Sequence, residues 1–169
     1  MDYSIIIPAY NEEQYIKRTL TYLYTATKKL PEYSFEIIVV NDESTDQTKN
    51  IVLNMGIEVI DVKCRHISKV RNKGAAVASG KVLLFVDADT LVSEDSLERM
   101  IVAYEKGYMG GCEYGVYYDL GGKIRQLGMS LYTWWIKNIY RVGFGYFIWC
   151  DKQLFNQLGG FTTEYYAFE

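Results

Sequence analysis

Little in this sequence can build a covalent or metal-staple framework. Its 169 residues include only three cysteines; Cys64, Cys112 and Cys150 are far apart and never spaced C-x-x-C, which excludes a disulfide scaffold and a zinc knuckle and points to a reducing, cytoplasmic setting. The single histidine, His66, has no serine elbow or cysteine dyad near it in sequence, so a nucleophilic triad has no support. An excess of positive charge is also missing. With 18 basic and 21 acidic side chains the net charge is −3, so the chain lacks the basic face that duplex nucleic acid requires, and nucleic acid is excluded as a partner. The longest apolar and aromatic stretch, 130 to 150, is interrupted by Lys137 and Arg141, and no charged n-region opens the chain, so neither a membrane span nor a signal peptide is expected. Glycine-rich phosphate loops are absent as well. No G-x-G-x-x-G opens the first helix, and Gly74 to Lys81 has five residues between its glycines, lacks the following Ser or Thr, and precedes a strand instead of following one.

What is present is apolar: 49% of residues are hydrophobic and 23% charged, the composition of one globular domain with a sizeable core. Four strand-then-helix units occupy the first 107 residues. Ser4 to Ile7 reads as a strand, and Asn11 with Gln14 resembles a capping box opening a helix that carries Ile16, Leu20, Leu23 and Leu30 on one face. Phe35 to Val40 is a second strand, with Ser44 and Gln47 fitting the cap of the next helix. Ile57 to Val62 is a third strand, followed by a basic helix from Ser68 to Ala78 stopped by Gly80. Val82 to Val86 is an unbroken apolar run, as expected of a parallel strand covered on both faces, and Ser93-Glu94-Asp95 opens a helix closed by Gly107. The pattern predicts an α/β, doubly wound, mostly parallel sheet whose strand C-termini line one crevice. Beyond it, Asp119 to Gly122 reads as a hairpin turn and Tyr132 to Val142 as an aromatic helix. An aromatic face over 131–142, with Lys137 and Arg141 beside it, would suit core burial, a homo-oligomer contact or peripheral membrane contact at the inner surface.

The chemistry concentrates after the fourth strand. Asp87 and Asp89 stand one residue apart at a strand end, where two carboxylates repel unless a cation or hydrogen bonds compensate them. Magnesium or manganese is the natural partner, held by one or two carboxylates while substrate phosphates complete its shell. Both alternatives stay open for D-x-D alone: a solvated helix-capping turn, or a phosphatase-like strand end, although Leu91 replaces the Thr or Val of that pattern. The stretch from Lys63 to Val86 holds six basic residues and no acidic one. Arg71 in it suits contact with a phosphate or a base edge, and Asp42 ends the second strand in the same crevice.

Five ordered segments then carry a resemblance: Ser4-Ile-Ile-Ile-Pro-Ala-Tyr-Asn-Glu-Glu13, Val39-Val-Asn-Asp-Glu-Ser-Thr-Asp46, Arg71-Asn-Lys-Gly74, Phe85-Val-Asp-Ala-Asp89 and Gly159-Gly-Phe161. Together they resemble the family 2 glycosyltransferases of the GT-A fold. That resemblance implies a single Rossmann-like domain over 1–169, with a nucleotide-binding half at 1–107 and an acceptor-side half at 108–169. It implies a metal-dependent, inverting transfer of a sugar from a nucleotide-diphosphate donor, UDP favoured, to a hydroxyl of a saccharide or lipid-linked acceptor in glycan or polysaccharide synthesis. Carried over by position, Pro8, Ala9 and Tyr10 line the nucleoside site, and Glu12 lies near the base or ribose. Asp42 accepts from the uracil N–H, Arg71 contacts the base from the other side, Asp87 approaches the ribose and Asp89 holds Mn2+ or Mg2+. The glycines of Gly159-Gly160-Phe161 fit either an acceptor-side role or a helix C-cap. Glu169 falls where the family places the acidic pair that includes its general base, which implies a C-terminally truncated catalytic domain or a sugar-nucleotide binding module without turnover.

Overall fold

The computed structural model describes residues 1–113 and 145–164. Four parallel strands form the frame: β1 (Tyr3–Ala9), β2 (Phe35–Asp42), β3 (Glu58–Val62) and β4 (Val82–Val86). Between them run α1 (Ile16–Lys28), α2 (Thr48–Asn54) and α3 (Ile67–Val77), and α4 (Glu94–Glu105) follows β4. The short β5 (Gly110–Cys112) and β6 (Phe147–Asp151) extend the sheet, and α5 (Lys152–Gln157) follows directly. The order across the sheet is β3-β2-β1-β4-β6-β5. β1 pairs in parallel with both β2 and β4, whereas β6 runs antiparallel to β4, with Val82 opposite Asp151 and Val86 opposite Phe147.

Alternation along each central strand explains the unbroken apolar runs. Ile5, Ile7, Leu84 and Val86 pack on one face against α1, α2 and α4 through Leu20, Leu23, Val52 and Leu97, while Ile6, Leu83 and Phe85 pack on the other against Val70 and Ala75 of α3 and Phe155 of α5. With helices on both faces, neither side of β4 can be polar, and all five of its residues are buried. The expected α/β architecture is therefore present.

Three local expectations need correction. Asn11 does not cap α1: its backbone is left-handed at φ 55°, and the helix begins at Ile16 with no side-chain cap. Gln47 is the N-cap residue of α2 but makes no side-chain cap bond, and Ser44 lies outside the cap; Asp46, one residue earlier, accepts from the Thr48 N–H at 2.9 Å. Both sequence patterns matched, but Asn11 and Ser44 bond to each other's loops instead. Gly80 does not stop α3, which ends at Val77. A Cβ there would stand 2.6 Å from the Ser4 backbone nitrogen, so the glycine permits close passage over β1. Ser93 does cap α4, accepting from the Ser96 N–H, and Gly107, at φ 90°, does close it. β6 was not anticipated. The expected hairpin at 119–122, the aromatic helix and the 131–142 face lie outside the described residues.

Candidate active site at the switch point of the sheet

From β1 the chain moves outward to β2 and β3, then returns across β1 to β4, so the strand order reverses between β1 and β4. In open α/β sheets the crevice beyond the strand C-termini at such a point is the usual ligand site. Here it is bounded by Pro8, Ala9 and Tyr10 on one side and Asp87 to Asp89 on the other. Pro8 and Ala9 are buried at the end of β1, and Tyr10, the first residue past it, is 54% exposed, a ring free to stack on a ligand.

The loops after β1 and β2 are knitted together by side chains. Asn11 donates its N–H to Ser44 Oγ at 3.0 Å and accepts from the Thr45 N–H at 2.8 Å. The Glu12 N–H donates to Thr48 Oγ1 at 2.7 Å, the Glu13 N–H to Asp46 at 3.0 Å, and the Gln47 N–H returns to Glu13 at 2.9 Å. Left-handed Asn11 and Glu43 sit in this lattice, which fixes Tyr10 and Glu12. Asp42, buried at the end of β2, accepts from the N–H groups of Cys64 and Arg65, each at 2.7 Å, and so secures the β3–α3 loop.

The D-x-D turn is anchored on three sides. The Asp87 N–H donates to the Tyr146 carbonyl at 3.1 Å, the Thr19 hydroxyl donates to the Ala88 carbonyl at 2.7 Å, and Arg71 Nη2 pairs with Asp87 Oδ1 at 2.6 Å while also donating to the Gly145 carbonyl at 2.9 Å. Arg71, expected at the base, thus already braces Asp87 from α3; its side chain is 11% exposed. Burial pushes the Asp87 carboxyl above the usual range, Arg71 opposes that, and Asp89 adds to it. Burial also raises Glu12, with repulsion from Asp89, Asp46 and Asp87 behind it. Glu12, Asp87 and Asp89 therefore share one field of negative potential at the crevice. Asp89 is exposed, and its carboxylate has no hydrogen-bond or ion-pair partner among the described residues.

No group of three or more His, Cys, Asp or Glu placed to hold a metal occurs among the described residues. An all-protein cage is therefore absent from them, but a free hard-oxygen ligand in an acidic crevice fits an ion that takes its remaining ligands from water and substrate phosphates. Glu169 lies outside the described residues. Asn72 and Asp46 lie within the sequence motifs but gain their partners only in the fold: the Asx spacing of Asp46 to Thr48 signals its bond, whereas Asn72 carries no local signal.

A Rossmann-like α/β domain with an acidic crevice at its switch point defines a nucleotide-binding class of fold. The model of the Glycosyl transferase family 2 matches residues 4–159, and the chain belongs to that family. The poly(ribitol-phosphate) β-N-acetylglucosaminyltransferase TarS of Staphylococcus aureus is 36% identical over 104 residues, 58% of this chain and 18% of that protein. The dolichyl-phosphate β-glucosyltransferase ALG5C of Trichomonas vaginalis is 36% identical over 107 residues, 57% of this chain and 32% of that protein. Among solved structures, S. aureus TarS 1–349 in complex with UDP aligns at TM-score 0.71 and 23% identity over 99% of this chain and 52% of that one. The Pyrobaculum calidifontis mannosyltransferase PcManGT in complex with GDP-Man and Mn2+ aligns at 0.71 and 20% over 96% and 48%. These likenesses establish the GT-A fold. The chain spans less than a third of either curated relative and about half of each solved chain. Among the described residues no helix is long and apolar enough to cross a membrane.

Proposed function

We propose that this domain transfers a sugar from a nucleotide-diphosphate donor, with UDP favoured, to an acceptor hydroxyl, inverting the anomeric centre. The observation that carries the reading is Asp89, an exposed carboxylate without a partner among the described residues, beside Asp87 and within the field of Glu12 at the switch point, where a diphosphate could enter only with a cation. The family membership supports it, as do the names of relatives that transfer N-acetylglucosamine or glucose and the UDP and UDP-GlcNAc complexes of TarS. The Mn2+ in the mannosyltransferase complex supports cation use.

In this reading Tyr10 stacks on the base, Pro8 and Ala9 line its edge, and Asp42 and Arg71 frame the uracil. Glu12 and Asp87 lie toward the ribose, and Asp89 holds Mn2+ or Mg2+. The bound cation supplies Lewis-acid neutralisation of charge on the leaving diphosphate. Residues 1–107 serve the donor and 108–169 the acceptor, a saccharide or a lipid-linked carrier, with Glu169 in the acidic pair assigned to accepting the acceptor proton. A positioned base is worth roughly a hundred- to ten-thousandfold in rate. The test is a thermal-shift screen of UDP- and GDP-sugars with manganese, followed by detection of glycosylated product with the donor that stabilises best. A rise in melting temperature with UDP-sugars and product formation are expected. No stabilisation by any nucleotide sugar would overturn the reading.

A further inference from the structure

Arg71 and Asn72 are adjacent on α3, yet each reaches a segment distant in sequence. Asn72 forms a reciprocal pair with Phe161: its Nδ2 donates to the Phe161 carbonyl at 2.9 Å and its Oδ1 accepts from the Phe161 N–H at 2.9 Å. One side-chain amide thereby satisfies both backbone groups of a loop residue, as a neighbouring strand would. The chain arrives there through two left-handed glycines, Gly159 at φ 80° and Gly160 at φ 78°. A Cβ on Gly160 would lie 2.8 Å from Asn72 Oδ1. The glycines thus do more than end α5; they turn the chain back onto α3.

The ring delivered by this turn lies over the ion pair's cation. Phe161 meets Phe85 edge-on at 4.8 Å and Phe155 at 5.5 Å, and the Arg71 guanidinium carbon stands 5.5 Å from its centroid. Arg71 in turn holds Asp87 and the Gly145 carbonyl. Apolar contact alone would bury Phe161 without fixing the direction of the backbone that continues to Glu164. The amide pair fixes it.

We propose that Asn72 is a positioning residue of the transfer reaction, holding residues 160–164 on α3 so that the segment continuing from Phe161 keeps a fixed course on the acceptor side of the crevice. The inference rests on the acceptor-side role given above to the Gly-Gly-Phe segment. It is tested in the full chain by three measurements: amide hydrogen exchange at Phe161, UDP affinity with manganese, and UDP release from UDP-glucose and UDP-GlcNAc. Asn72→Ala is expected to speed Phe161 exchange and lower kcat, each at least tenfold, with UDP affinity and donor KM within twofold of wild type. Asn72→Asp keeps the acceptor for the Phe161 N–H and should recover part of both. Should Asn72→Ala lose the wild-type far-UV spectrum, Gly160→Ala, which presses on the same pair from the other side, carries the same expectations. Unchanged exchange, unchanged kcat despite lost protection, or UDP affinity falling in step with kcat would each overturn the proposal. Failure of the wild type itself to bind UDP or release it from either donor would instead bring down the functional reading, and the positioning role with it.

Discussion

The N-terminal end of the parallel sheet and the crevice at its switch point treat their carboxylates in opposite ways. At the N-terminal ends of the strands, Glu36 accepts from the Ser4 hydroxyl and from the backbone and hydroxyl of Ser79 at 2.6 and 2.9 Å, and its carboxyl lies below its ordinary range although burial opposes this. Asp2 there is held down to about 2, chiefly by the Ser34 hydroxyl, then by the Ser34 N–H and Lys81. At the C-terminal ends, Glu12 and Asp87 are pushed up, and Asp89 has no partner among the described residues. The acids at the N-terminal end are surrounded by donors; Glu12, Asp87 and Asp89 at the crevice are crowded with one another, while Asp42 and Asp46 beside them are held by N–H donors. That asymmetry singles out the crevice as the candidate site without reference to any relative.

The sharpest break of the comparison is Asp89→Asn. Losing even an outer-shell partner of a metal ligand costs 10- to 100-fold, so manganese-dependent UDP affinity should fall by roughly a hundredfold or more, with the melting temperature unchanged. Calorimetry beside thermal denaturation checks both halves. Arg71→Met removes the cation that braces Asp87. A fully buried pair broken in this way loses about 3–5 kcal/mol. Because the Asp87 side chain is 35% exposed, about 2 kcal/mol is expected in urea titration. At the other end, Glu36→Gln should cost about 1.5 kcal/mol, the lower bound for hydrogen bonds to a charged group, and leave UDP affinity intact. Gly160→Ala and Gly159→Ala both demand a left-handed alanine, at about 1–2 kcal/mol, but only the former also meets Asn72, so it should be the more destabilised of the two.

The smallest expected effect is in acid. Because the Asp2 carboxyl lies at about 2 in the folded chain against 3.8 ordinarily, the unfolded chain binds more protons between those values. Its contribution is complete above the ordinary value and is lost as pH falls toward about 2. Asp2→Asn should flatten stability over that window and not above it, as read by acid denaturation.

Much of the fold around the crevice was legible because its signals are local. The apolar run at Val82–Val86, the Ser93 cap and the D-x-D pair each declare themselves within a few residues, and the structure keeps them there. What escaped was tertiary. Asn11 and Ser44 have the right side chains and spacing for caps, but each finds its partner in the other loop, more than 30 residues away. Arg71 stood out in sequence as a cation near the acidic pair, yet its pairing with Asp87 and Gly145 depends on how α3 crosses the sheet. β6 escaped although Gly143 and Gly145 stand just before it, because Phe147 to Cys150 continues an aromatic stretch without polar alternation and antiparallel pairing with β4 defines it. The Asn72–Phe161 pair spans 89 residues, beyond any local pattern.

The most direct test of the central claim, that the C-terminal end of the sheet is a cation-dependent nucleotide site, is a calorimetric titration of UDP into the chain in manganese and again in EDTA. Binding in manganese that disappears in EDTA is predicted, because the diphosphate would otherwise enter a crevice already crowded by Glu12, Asp87 and Asp89. Equal affinity in the two buffers would contradict the account.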